Sequence, residues 1–348
     1  RSANRALVPR WVRRPAMVRY TPMMRAPVLD TASSSSRAAF ALGSAACVGA
    51  LTFGAARYMR SSRLMCSDAA SSERAGEDIL LADISVGASH VLLTSPSSVA
   101  FSGLQPIVPG HSIVAPLRPM GRAPELSDAE WLDLWRTARR AQAAVEARHG
   151  AGASNLLLKD GTARLPHLHA HVVPRLQGDF AVSDTVFGLM DGWAPTAAAA
   201  DRLPAHVNLP LLADDERKDR TSAMMADEAA EYRALAAKPK VAAHTFARIP
   251  IAAEHVFLES ASGRSVAFVN LRPLVPGHVL VTPRRITPRM EELTEAEADD
   301  LWLLVREVQR VLQARYKPRG FEFGVQDGKL AGQSVPHVHV HVLPNGHL

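Results

Sequence analysis

Two stretches of the chain alternate polar and apolar residues around a run of histidines: RLPHLHAHVVP at 164–174 and SVPHVHVHVLP at 334–344. A period of two predicts β-strands whose alternate side chains share one face at a spacing of roughly 6.5–7 Å. His167, His169 and His171 then line one surface, and His337, His339 and His341 another. Upstream of each, the apolar runs SIVAP and VLVTP follow a PGH turn and predict further strands. Between strand and triad the period changes to 3.6. Each helix opens on a capping box, Ser127-x-x-Glu130 or Thr294-x-x-Glu297, in which hydroxyl and carboxylate satisfy backbone N–H groups that the first turn leaves unpaired. Trp131, Leu134, Trp135, Ala138 and Val145 fall on one helical face, as do Leu301, Trp302, Val305, Val308 and Leu312, and both stripes are read as packing against a sheet. The helices are expected to stop near Gly150 and before Pro318.

The two sets of elements are copies. SVAFSGLQPIVPGH at 98–111 matches SVAFVNLRPLVPGH at 265–278 at an offset of 167, and the register holds through LSDAEWLDLW and LTEAEADDLW to KDG at 159–161 and QDG at 326–328. It then slips by three residues just before the second triad. A unit of about a hundred residues is too long for a solenoid repeat and suits a small domain. Strands grouped around one long helix, without βαβ alternation, predict an α+β fold with an antiparallel sheet in each copy, residues 77–180 and 241–348. Residues 181–240 are expected to form a connector with one helix, in SAMMADEAAEYRALAA.

Charge separates an arm from this body. Residues 1–67 hold eleven Arg and a single acid, whereas the remainder is net negative, so the pI near 9.7 describes the arm, and nucleic-acid binding by the folded body is not expected. Residues 1–37 are Arg- and Ser-rich, the pattern of an organellar targeting peptide, mitochondrial before plastid. The uncharged stretch 38–56 has the length of a single transmembrane helix, and 57–76 reads as a linker; a cleaved or unstructured arm is the alternative. Two cysteines, Cys47 and Cys66, supply neither a disulfide framework nor a Cys-rich zinc site.

Three imidazoles on one face can bind zinc, but a fourth ligand or carboxylate is not close to either triad in sequence. Burial as inert core would leave many polar atoms to satisfy. Nucleophilic catalysis remains: a neutral imidazole attacks phosphorus well when its opposite nitrogen is held as N–H, and flanking histidines can bind phosphate oxygens and assist a leaving group. Gly332, Gln333 and Ser334 add donors on a turn beside the second triad. Phosphate ester or anhydride chemistry follows from these residues alone.

H-φ-H-φ-H-φ-φ, present twice, resembles the signature of the histidine triad family of nucleotide hydrolases and transferases. FVNLRPLVPGHVLV through VQDGKLAGQSVPHVHVHVLP is similar to the fragile-histidine-triad branch, the dinucleoside triphosphate hydrolases. The resemblance implies that His339 is the nucleophile, forming a nucleotidyl-histidine that water hydrolyses, with His341 on the α-phosphate and leaving group and His337 ordering the network. It further implies substrate contacts from Asn270, Gln326, Gly332, Gln333, Ser334 and Val335, with His167, His169 and His171 as the corresponding set in copy one. Retention of the third His favours hydrolysis over transfer. No organic cofactor is implied; a divalent ion, Mg²⁺ or Mn²⁺, is expected only with the substrate.

Copy one departs from the pattern, with Gly103 in place of Asn270, Lys159 in place of Gln326, and no Gly-Gln-Ser turn. Copy two is expected to lack the segment that follows the triad in this branch, since PRLQGDF follows the first triad instead. Relatives pair as symmetric dimers, so the copies are expected to form an intrachain pseudo-dimer. A rival expectation is a membrane-anchored accessory subunit of an organellar complex that keeps the fold without the activity.

Overall fold

The computed structural model describes residues 78–81, 84–161, 163, 165–195, 217–237 and 241–346. The targeting-like arm, the 38–56 stretch and the linker lie outside these residues. Among the described residues no helix is long and apolar enough to cross a membrane.

Each copy forms the elements its periodicity predicts. Copy one begins with a short hairpin, β1 (Ile79–Leu81) and β2 (Ile84–Val86). It continues with β3 (Val91–Thr94), β4 (Ser98–Ser102), β5 (Ser112–Pro116), helix α1 (Asp128–His149), β6 (Ser154–Asp160) and β7 (Ala170–Pro174). The connector contributes α2 (Thr185–Asp191) and α3 (Ser222–Leu235). Copy two has the hairpin β8 (His244–Phe246) and β9 (Ile249–Ile251), then β10 (Val256–Glu259), β11 (Ser265–Val269) and β12 (Val279–Pro283). Helix α4 (Glu295–Tyr316), β13 (Gly320–Asp327) and β14 (Val340–Asn345) complete it. Both capping boxes form, with Ser127 and Thr294 as N-caps. Lys317, in a left-handed conformation, ends α4 just before Pro318.

Two expectations need correction. The connector carries two helices among its described residues, because the apolar positions of TVFGLMD fold down onto β6 and β7 through Val186 and Met190. The triads also do not lie wholly on strands: β14 starts at Val340 and β7 at Ala170, so only His341 and His171 are within a ladder. The cause is local. The carbonyl of His337 accepts a bond from its neighbour's ring, His339 Nδ1 at 2.7 Å, and that of His167 does the same for His169. The alternation survives, with Val338, Val340 and Val342 in the main core and the histidines on the opposite face.

The two copies are one body. Their strands form a single antiparallel sheet of ten, ordered β10-β11-β12-β14-β13-β6-β7-β5-β4-β3, joined at the centre by β13 and β6. The register there is self-complementary under the 167-residue offset: Asp160 faces Phe321, Ser154 faces Asp327, and Leu157 faces its own counterpart, Gly324. Cross-copy hydrogen bonds obey the same exchange, Gln142 on α1 reaching Asp327 at 2.5 Å and Gln309 on α4 reaching Asp160 at 3.1 Å. Each of these aspartates is paired with an arginine of its own copy, Arg289 and Arg122. One hydrophobic core runs beneath the sheet through both helices, from Trp131 and Trp135 to Trp302 and Phe323.

Candidate active site

The sheet face opposite the helices carries both triads, and in each copy hydrogen-bond partners fix which ring nitrogen holds the proton. In copy two, His337 accepts from the Ala247 N–H at Nδ1 (3.1 Å), so its Nε2–H donates to the Pro283 carbonyl (2.8 Å). His339 can only donate from Nδ1 to the His337 carbonyl, which leaves the Nε2 lone pair free of any hydrogen bond among the described residues. A fourth imidazole completes the set. His278 accepts from Leu274 N–H at Nδ1 (3.1 Å) and therefore donates from Nε2 to His341 Nδ1 (2.9 Å). The proton of His341 is thus on Nε2, a buried atom with no hydrogen-bond partner among the described residues. A lone pair and an N–H donor stand side by side on rings whose centroids are 4.8 Å apart.

Burial sets the charge of these rings. It holds His339 down to about 4, partly offset by the bond to the His337 carbonyl, and His278 to about 3. His341 is held well below the ordinary imidazole value, by burial first and then by His339, His278 and Arg217. His337 is also lowered by burial. All four are neutral near pH 7, the state in which an imidazole nitrogen is a nucleophile.

Asn270 lies against His278, its amide nitrogen 3.2 Å from Nε2. Gln326 donates to Asp184 of the connector at 3.3 Å. Gly332 adopts a left-handed φ of 92°, and a Cβ there would meet Gln326 Nε2 at 2.6 Å, so only glycine leaves that amide in place. Gln333 ties its loop to the β12–α4 connection, donating to the Pro288 carbonyl at 2.9 Å, and accepts from Gly328 N–H of its own loop at 3.2 Å; it shapes the turn. Ser334 is exposed, and Val335 packs against the apolar cluster that contains Phe246 and Phe268.

Copy one repeats the proton pattern. Ile107 N–H bonds His111 Nδ1, His111 Nε2 bonds His171 Nδ1 at 3.0 Å, and His167 Nε2 bonds the Pro116 carbonyl at 2.9 Å. Burial lowers His169 to about 4 and His111 to about 3. The surroundings differ. Trp193, just after α2, lays its indole 5.5 Å from His169 and 5.3 Å from His171, and its Nε1 donates to the Gln105 carbonyl at 2.9 Å. His171 is buried where its counterpart His341 is partly exposed. Lys159, standing in for Gln326, is buried in ion pairs with Asp191 (2.7 Å) and Glu322 (3.2 Å).

A sequence profile described as the HIT domain matches residues 85–178 and 253–348, more than half of the chain. The chain belongs to the HIT family. Among curated HIT-related proteins, it is 50% identical over 80 residues to the bis(5'-adenosyl)-triphosphatase of Dictyostelium discoideum, covering 23% of this chain and 54% of that one. It is 46% identical over 99 residues to the asymmetrical bis(5'-nucleosyl)-tetraphosphatase of Schizosaccharomyces pombe, 28% of this chain and 53% of that one. The match thus spans about half the length of these relatives. A solved Plasmodium falciparum diadenosine triphosphate hydrolase in complex with cyclomarin A aligns at 30% identity over 33% of this chain and 81% of that chain, with a TM-score of 0.30.

Several residues at the HIT sites escape a reading of the triads alone. His111 and His278 stand in the PGH turns at equivalent positions, and their repetition was the available signal. Phe246 stacks near His337 and His339, at 5.4 and 5.2 Å, from a hairpin with no marked motif. The connector also reaches the second site: Asp184 accepts from Gln326, and Arg220 holds the Asn270 carbonyl. Among the described residues no group of three or more His, Cys, Asp or Glu is arranged to hold a metal ion.

Proposed function

We propose that the chain is a nucleotide hydrolase that splits a phosphoanhydride of a dinucleoside triphosphate or similar nucleotide conjugate at the second triad. One observation carries this reading: His339 offers an unprotonated Nε2 beside the Nε2–H of His341, which has no partner among the described residues. Nε2 of His339 attacks the α-phosphorus, a P–N bond forms, and the P–O bond to the leaving nucleotide breaks with its electron pair departing on oxygen as the anion. The cationic phosphoimidazole keeps its Nδ1–H on the His337 carbonyl, which stabilises the charge. His341 Nε2–H donates to phosphate oxygen as negative charge shifts toward the leaving group. Water then attacks phosphorus and gives up a proton to solvent, the P–N bond breaks with its electron pair returning to His339 Nε2, and the nucleoside monophosphate leaves. Asn270, Gln326 and Ser334 are assigned to ribose and phosphate, with Gly332, Gln333 and Val335 shaping the loop and wall. A divalent ion, Mg²⁺ or Mn²⁺, would arrive bound to the polyphosphate as part of the substrate.

The relatives' names, bis(5'-adenosyl)-triphosphatase and bis(5'-nucleosyl)-tetraphosphatase, support this substrate class. We read the copies as an intrachain pseudo-dimer, supported by the self-complementary β6–β13 register, and the first triad as silent, supported by the indole of Trp193 over His169 and His171. An organellar location and membrane attachment through 38–56 rest on the arm's composition alone. The accessory-subunit reading is disfavoured by the relatives, which are named as nucleotide hydrolases. The test is diadenosine triphosphate turnover by wild type, His339→Asn and His169→Asn. Loss in the first variant, retention in the second, and acid-quench capture of a nucleotidyl-enzyme in wild type are expected; an unchanged rate in His339→Asn overturns the assignment.

A further inference from the structure

Among its described residues the connector brings Trp193 to the first site and Arg217 to the second, and the two places correspond. Trp193 donates to the carbonyl of Gln105 and faces His111, His169 and His171. The counterpart of Gln105 at the 167-residue offset is Arg272, and its carbonyl accepts a bond from the guanidinium of Arg217. Arg217 is close enough to lower the proton affinity of both His278 and His341, the counterparts of His111 and His171. A single polypeptide segment therefore supplies an indole to the first site and a cation to the second. Three residues on, Arg220 is fixed by Glu228 and the Asn270 carbonyl, so the chain that presents Arg217 is anchored at the rim of the site.

The charge inventory of the second site gives this cation a purpose. Among the described residues here the imidazoles are neutral, Asn270, Gln326 and Ser334 are uncharged, Arg220 is paired with Glu228, and Asp184 adds a negative charge next to Gln326. A polyphosphate entering such a place meets hydrogen-bond donors but no countercharge from any of them. A guanidinium is suited to phosphate because its planar donors engage two oxygens at once.

We propose that Arg217 is a substrate-binding residue that recognises the polyphosphate from the connector, at the place where Trp193 fills the first site. The inference rests on the hydrolase reading above and extends it to a residue outside both HIT domains. Binding separates the two. Diadenosine triphosphate and uncharged adenosine are titrated calorimetrically into the full chain carrying His339→Asn, with and without Arg217→Gln or Arg217→Lys. Arg217→Gln is expected to weaken triphosphate binding about tenfold or more while adenosine binding stays within about twofold, and Arg217→Lys to recover most of the loss. Equal weakening of both ligands, or no change for the triphosphate, overturns the role of Arg217 even if His339→Asn abolishes turnover. Failure of the triphosphate to bind at all, or wild-type turnover in His339→Asn, overturns the hydrolase reading itself.

Discussion

Trp135 and Trp302 occupy equivalent positions in the two repeats, and their indoles stack on each other, centroids 3.5 Å apart and planes within 6°. A residue that meets its own counterpart lies on the axis relating the copies, as Leu157 and Gly324 do in the sheet. The contact joins α1 to α4 in the middle of the shared core, with Trp131 edge-on to both rings.

Trp135→Ala or Trp302→Ala should each destabilise the protein by about 3–5 kcal/mol, because the cavity opens in a core common to both repeats. The double variant should lose less than the sum, by on the order of 1 kcal/mol, since the stack is broken once. Calorimetry should record one transition for both copies in wild type. Two independent transitions would contradict a shared core.

Lys159→Met should cost about 3–5 kcal/mol although it removes a charge from a buried place. The ammonium lies between Asp191 and Glu322, and burial already pushes Glu322 up to about 7. Removing the cation leaves two carboxylates facing each other without a counterion. Denaturant unfolding of Lys159→Met against Lys159→Met/Glu322→Gln checks the cause: the second change should recover part of the loss, and no recovery would point to packing instead.

These two cases also mark how far the sequence could be read. The capping boxes, the Trp/Leu stripes and the triads are local patterns with a fixed period, and each appears in the structure near where its spacing predicts. His278 was legible too, but only by comparing PGH between copies instead of taking it as a turn. The β6–β13 pairing, Trp193 and Arg217 were not. Periodicity shows which face of a strand is buried and is silent on which edge finds which partner, and the connector has no counterpart to align against. Lys159 looked like a lost donor in a worn site; only the approach of Glu322 across the sheet and Asp191 from α2 turns it into part of a buried charge cluster.

Gly332→Ala should lower kcat/KM for diadenosine triphosphate by about tenfold or more at little cost to folding. A left-handed non-glycine residue costs roughly 1–2 kcal/mol, which a domain of this size can absorb. The new Cβ, 2.6 Å from Gln326 Nε2, must displace the amide that binds Asp184. Gln326→Ala should lose a similar factor, and the double variant little more than either alone. Additive losses would place the two residues in separate roles.

The last prediction concerns pH. An unfolded histidine gains its proton near 6.5, whereas burial holds His339, His169 and His244 at about 4 and His278 and His111 at about 3. As pH falls from 6.5 toward 4 the unfolded chain takes up protons that the folded chain refuses. Stability is therefore full above about 6.5 and declines through this window, by on the order of 10 kcal/mol over the group, levelling only below the folded values. The thermal midpoint should drop steadily between pH 6.5 and 4. Activity should behave differently: kcat/KM on the acid side should stay nearly level while the protein remains folded, because Nε2 of His339 keeps its lone pair until about pH 4. Stopped-time assays brief enough to outrun unfolding separate the two curves. An acid limb centred near 6.5 would mean that the nucleophile titrates as an exposed imidazole, contrary to its burial.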